Sequence, residues 1–141
     1  MPTARLTRVV SFSAAHRYFR PEWSAGRNAE VFGRCAREHG HGHNYRCYVT
    51  IAGPVAEDTG MLMDLAELDA ILHEEVHEPL DHRHLNHDVP EFAPGRQIPT
   101  AEALAVYLWR RVASRLPDGV RLHSVRVQED SDLYAEYHGE A

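Results

Sequence analysis

Alternation and helical periodicity divide the chain into two strands, two helices and two further strands. The stretch from Arg5 to Ser13 is rich in β-branched and aromatic residues, which predicts an extended segment with His16 at its end. From His43 to Ile51 the side chains alternate. Tyr45, Cys47, Val49 and Ile51 fall on one face, and Asn44, Arg46, Tyr48 and Thr50 on the other. A period of two with one apolar side predicts an antiparallel strand packed on that side, with Cys47 as a small buried hydrophobe. Residues 17–40, interrupted by Pro21, Gly26, Asn28 and Gly33, read as mostly loop.

Beyond Gly53-Pro54 the period lengthens. Asp64 is placed to cap a helix over residues 65–78, with Glu67 at the reciprocal capping-box position. Leu65, Leu68, Leu72 and Val76 form its apolar stripe, and Pro79 helps to end it. A second helix over residues 101–115 follows Pro99, takes Thr100 as its N-cap and packs through Leu104, Leu108, Val112 and Leu116. Strands over 120–128 and 133–138 then flank an acidic turn from Glu129 to Asp132. The order ββααββ predicts an α+β domain, a four-stranded antiparallel sheet with both helices on one face. Its open edges favour association into a ring or barrel.

Composition narrows the class. A chain of 141 residues, 43% hydrophobic, fits a single domain over 1–141 with a real core. With 15 Lys+Arg against 21 Asp+Glu, a formal net charge of −6 and no basic block, a nucleic-acid partner is disfavoured. Arg17, Arg20, Arg27, Arg34 and Arg37 stand out in this acidic chain, either as a solvated face or as a mouth that steers phosphate. Cys35 and Cys47 are too few for a disulfide framework and fit a reducing compartment. There is no apolar signal core and no 18-residue apolar run, so a cytoplasmic protein with no membrane segment is expected.

The candidate chemistry lies in Cys35-Ala-Arg-Glu-His-Gly-His41-Gly-His43 together with His16. In an extended segment i and i+2 share a face, so His41 and His43 can hold one ion that His16 approaches from the preceding strand. Neutral imidazole suits Zn2+, and three protein ligands leave an open position for water or substrate. Cys35 either completes a closed structural shell or stands just outside it as a base. The adjacent Asp81 and His82 suit a proton relay in which the carboxylate orients the imidazole and stabilises its charge. His73 and His77, spaced i,i+4 without a metalloprotease carboxylate, read as surface histidines. His84 and His87 carry no comparable spacing argument, and Glu129 taken alone is a turn acid.

Six segments then carry a resemblance: Phe12-Ser-Ala-Ala-His16, Val31-Phe-Gly-Arg-Cys35, His41-Gly-His-Asn-Tyr45, Leu80-Asp-His82, Pro99-Thr-Ala-Glu102 and Val127-Gln-Glu129. In order, and across nearly the whole chain, they resemble the 6-pyruvoyl-tetrahydropterin synthase and 6-carboxytetrahydropterin synthase family. The resemblance implies the tunnelling fold (T-fold), in which strands of three subunits form a barrel and two trimers stack into a homohexamer with interfacial active sites. It implies 7,8-dihydroneopterin triphosphate as substrate and Zn2+ on His16, His41 and His43. By the same match Cys35 is the base, Asp81 and His82 the relay, and Glu129 the pterin anchor, with Thr100 and Glu102 beside the pterin pocket. Cys35 stands six residues before His41, a spacing similar to that of the pyruvoyl-forming enzymes. Formation of 6-pyruvoyl-tetrahydropterin with elimination of triphosphate is therefore expected. The enzymatic alternatives are 6-carboxytetrahydropterin formation in queuosine precursor synthesis and a three-histidine zinc hydrolase. The non-enzymatic one is a zinc-stabilised pterin-binding protein whose Cys35 closes the metal shell.

Overall fold

The computed structural model describes residues 1–140. Its two longest strands, β1 (Thr3–His16) and β2 (His41–Pro54), pair antiparallel over their whole lengths, from Thr3 opposite Pro54 to His16 opposite His41. Opposed residues share a face, so Phe12 lies with Tyr45, Val10 with Cys47 and Ala14 with His43. Phe12, Tyr45, Cys47, Val49 and Ile51 are buried, as the alternation requires. On the other face polar pairs cross the strands: Ser13 Oγ donates to Asn44 Oδ1 at 2.7 Å, and the Thr7 and Thr50 hydroxyls meet at 2.7 Å.

Between these strands, where the sequence suggests loop, lies a helix, α1 (Ala25–Phe32), followed by a 3-10 turn over Gly33–Ala36. Ser24 caps α1 by accepting the Arg27 N–H at 3.1 Å. Gly26 and Asn28 are poor helix formers and mask it in the sequence. Asn28 is buried because its amide ties the helix to the preceding loop, accepting the Arg20 N–H at 2.7 Å and donating to the Arg20 carbonyl at 3.0 Å.

The next helix also departs from expectation. α2 (Leu65–Leu72) is capped by Asp64, whose Oδ1 accepts the Ala66 N–H at 3.0 Å. Leu65 is exposed, and the packed stripe runs Leu68, Ile71, Leu72, Val76 and Leu80. Pro79 does not end this helix. A π turn over His73–His77 carries it into the short α3 (Glu78–Leu80), with the Glu78 N–H bonded to the His73 carbonyl. In a regular helix Pro79 would leave the Glu75 carbonyl without a donor and press on it. Here that carbonyl accepts the Arg111 Nε–H at 3.0 Å instead.

β3 (Arg83–His84), α4 (Leu85–Asp88) and a 3-10 turn (Pro90–Phe92) lead to α5 (Ala101–Ala113). Thr100 caps α5 by accepting the Ala103 N–H at 3.1 Å, and Leu104, Ala105, Leu108 and Val112 are buried against the sheet. β4 (Arg121–Asp130) pairs with β2, and β5 (Leu133–Tyr137) with β4. Among the described residues the sheet therefore has five strands rather than four, in the order β3-β1-β2-β4-β5. The added β3 runs parallel to β1 and spans two residues, too short for any periodicity to announce it. Among the described residues no helix is long and apolar enough to cross a membrane.

Candidate metal centre

The three histidines meet because β1 ends where β2 begins. His16 lies opposite His41, and the period of two brings His43 onto the same face. Gly40 makes the entry into β2 possible: its φ is 70°, and a Cβ there would collide with the His16 carbonyl. β4 extends through Asp130, so Glu129 is a strand residue two positions past Val127, on the packed face, and not a turn acid. One donor atom from each of His16, His41, His43 and Glu129 lies within 4.8 Å of the others.

These four groups fit a metal ion. His16 is fully buried, and its Nδ1 lies 2.7 Å from the Tyr45 hydroxyl. Its Nε2 and that of His43 are buried without a hydrogen-bond partner, which is costly unless a ligand takes their lone pairs. Glu129 Oε1 approaches His43 Nε2 at 2.9 Å and His16 Nε2 at 3.5 Å, without the alignment of a hydrogen bond. Burial, followed by the charges of His41 and His43, lowers the His16 pKa to about 3. Burial is also the first cause holding His41 and His43 below the ordinary histidine value. Neutral imidazoles need shed no proton to bind, and three of them form a donor set suited to Zn2+, with the Glu129 carboxylate close by.

With the His16 Nδ1–H donated to the Tyr45 oxygen, the Nε2 lone pair is left facing the cluster. Tyr45→Phe is expected to keep the fold and to weaken zinc binding about 10–100-fold, the usual effect of losing an outer partner of a ligating histidine. Competition with a chromophoric chelator measures it. Unchanged affinity would remove Tyr45 from the centre.

Cys35 sits in the 3-10 turn, half-buried, with Sγ 3.9 Å from His41 Nε2. Burial and then Glu129 push its thiol up, against Arg34. The fourth donor of the close set is Glu129 rather than Cys35, which counts against a closed thiolate shell. Glu129 is itself pushed up by burial and Asp130, with His41 opposing and Glu102 adding. Glu102 is exposed in the first turn of α5, and the Thr100 hydroxyl is engaged in the cap. Of the mouth arginines, Arg17 and Arg20 bond the backbone carbonyls of Ala36 and Arg96, and Arg27 stacks on Trp23. The charges of Arg34 and Arg37 reach the centre, where both disfavour a protonated His41.

The Asp81–His82 pair forms as expected. His82 Nδ1 lies 2.6 Å from Asp81 Oδ2, and Asp81 Oδ1 accepts the Ser13 N–H at 2.9 Å. The Ser13 bond first, and His82 second, hold the Asp81 carboxyl below its usual range. His82 has φ 58°, a left-handed conformation costing a non-glycine residue on the order of 1–3 kcal/mol, held here by its N–H bonding the Ser13 carbonyl at 2.6 Å. Its side chain is 84% exposed and shares a cleft of about 480 Å³ with Ser13, His43 and Asn44. Among the described residues no hydrogen bond joins the pair to Cys35. The sequence marks Tyr45 only as a packed-face residue of β2 and His77 only as a surface histidine. Tyr45 does stand two positions past His43 on the same strand face, which is the signal that could have found it.

The fold and site together define an α+β sheet protein with a partly buried three-histidine candidate metal centre and a carboxylate beside it. The sequence profile of 6-pyruvoyl tetrahydropterin synthase matches residues 5–140. The human 6-pyruvoyl tetrahydrobiopterin synthase is 42% identical over 137 residues, covering 97% of this chain and 92% of its own. A 6-carboxy-5,6,7,8-tetrahydropterin synthase from Synechocystis is 34% identical over 129 residues, covering 90% of this chain and 87% of its own. The solved 6-pyruvoyl tetrahydropterin synthase of Caenorhabditis elegans superposes with a TM-score of 0.91 at 35% identity, covering 99% of this chain and 98% of that one. The chain belongs to the 6-pyruvoyl tetrahydropterin synthase family.

Proposed function

We propose that this single domain is a zinc-dependent lyase that converts 7,8-dihydroneopterin triphosphate to 6-pyruvoyl-tetrahydropterin with loss of triphosphate. The observation that carries the reading is the set of buried, unpartnered imidazole nitrogens of His16 and His43 beside a carboxylate, with the Cys35 thiol 3.9 Å from His41. The human and nematode relatives bear the pyruvoyl name. The Synechocystis relative supports 6-carboxytetrahydropterin formation as the second reading. Mass spectrometry of the product formed from dihydroneopterin triphosphate separates the two. A carboxy product would replace the first reading, and no pterin product would remove both.

His16, His41 and His43 would hold the ion, and bound zinc supplies Lewis-acid polarisation of substrate oxygen. Cys35 takes a proton from one side of the substrate side chain, and the Asp81–His82 pair exchanges protons on the other. Arg34 and Arg37, with no acidic partner among the described residues, suit the triphosphate. Thr100 and Glu102 border the pterin pocket. If Glu129 were a fourth ligand the shell would be closed and no position left for substrate, so we assign it to the amino and ring N–H donors of the pterin. Glu129→Gln is expected to retain zinc but to bind a nonreactive pterin analogue at least about 10-fold more weakly, as loss of a charged acceptor implies. Calorimetry on the zinc-loaded variant measures this, and loss of zinc instead would make Glu129 a ligand.

We further propose a homohexamer, a dimer of trimers, with the Asp81–His82 pair of one subunit serving a neighbour's Cys35. The exposure of His82 supports this, as do exposed Leu133 and Tyr134 on the edge strand β5. The two free cysteines fit a cytoplasmic location.

A further inference from the structure

The π turn in the helix before Asp81 places a third group on the relay. His77 Nδ1 lies 3.0 Å from the Ser11 carbonyl of β1, and its Nε2 lies 3.5 Å from Asp81 Oδ2, the same oxygen that His82 Nδ1 meets at 2.6 Å. A carbonyl only accepts, so Nδ1 carries a proton. The Nε2 approach to Asp81 is a charge contact without a hydrogen bond, so an imidazolium at His77 is attracted to the carboxylate through space while its Nδ1–H stays on Ser11. The surroundings leave this interaction to Asp81. From β1, Arg8 is bound by Asp69 of α2; on the π turn Glu74 and Glu75 are held by Arg111 of α5 and by Arg115 just past its end. His73 stacks on the His77 ring and pairs with Glu78 at 2.9 Å. Among the described residues Asp81 has no arginine partner, and its two ion-pair contacts are the two imidazoles.

We propose that His77 is the positioning residue of the Asp81–His82 pair: its imidazolium shares Asp81 Oδ2 with His82, so the charge on His77 sets how strongly the carboxylate draws a proton to His82. A cation beside Asp81 offsets part of the carboxylate's field. His82 must be neutral to accept a proton, so removing that cation moves the acidic limb of the rate profile to higher pH. The kinetic part rests on the proposed pterin chemistry; the protonation of His77 does not.

Two variants and a spectrum test this. In the 1H–15N spectrum of histidine-labelled zinc-loaded protein at pH 6, both His77 ring nitrogens should carry protons. A bare Nε2 would overturn the proposal. In His77→Gln the acidic limb of kcat against pH should rise by about half a unit with KM little changed, and in His77→Arg, which keeps a cation, it should stay at the wild-type position. A merely structural role would lower kcat or thermal stability in both variants without moving the limb, and that pattern would also overturn the proposal. If the wild-type protein shows no turnover, the pterin reading fails and the spectrum alone decides His77.

Discussion

Replacing His16, His41 or His43 with Ala should remove stoichiometric zinc and depress turnover by well over the roughly 10–100-fold typical of losing an outer partner of a ligand. Each supplies one of only three protein bonds in an open site, so the loss of any one leaves too few donors to hold the ion. His16→Ala carries a further cost, because it leaves the buried Tyr45 hydroxyl without its partner. His138→Ala is the control: that exposed ring pairs with Glu136 on β5 and lies outside the cluster. Metal content of the purified variants, measured with turnover on folded protein, decides the outcome. One tightly held zinc in all three ligand variants would sink the assignment.

The second large effect concerns Cys35. Cys35→Ala should preserve zinc and pterin binding and lower the single-turnover rate by about 10²–10⁴-fold, the scale of a positioned acid–base group. The thiol is pushed up by burial and Glu129, so in the metal-free chain it is predominantly protonated near neutral pH. A divalent ion beside His41, whose Nε2 is 3.9 Å from Sγ, acts in the opposite direction. Alkylation of Cys35 at neutral pH should therefore be faster in zinc-loaded protein than after chelation. Cys47, buried with its thiol pushed up to about 12, should not react in either state. Near-normal chemistry in the Cys35 variant would end its role as a base.

The histidine set was legible because its information is local. His41 and His43 are two apart on a strand, and the strand is announced by the alternation that follows it. Asp81 and His82 are adjacent, although adjacency does not dictate that they bond; a left-handed backbone at His82 turns its ring back onto the carboxylate. Glu129 was recognised only by resemblance. Its place beside His43 depends on β4 continuing through the acidic run and on the register that sets Cys47 opposite Val127.

Short-range pattern by itself determined the two capped helices, the packed and polar faces of β2, and the His41–His43 pair, since each follows from a period of two or 3.6 or from a cap; His16 joins that pair only through the pairing of β1 with β2. Tertiary structure decided what no period encodes. β3 exists because its two residues find the free edge of β1, and α1 is held by the bonds of Asn28 to Arg20 in the preceding loop, which no period marks. Pro79 ends a helix by local rule, yet here the chain passes through a π turn, and Arg111, 36 residues beyond Glu75, takes the Glu75 carbonyl that Pro79 cannot serve. That same turn carries the residue facing Asp81, turning a surface histidine of the sequence into a neighbour of the relay. Hydrogen bonds between residues far apart in the chain are satisfied only after packing, and so leave no periodic trace in the sequence.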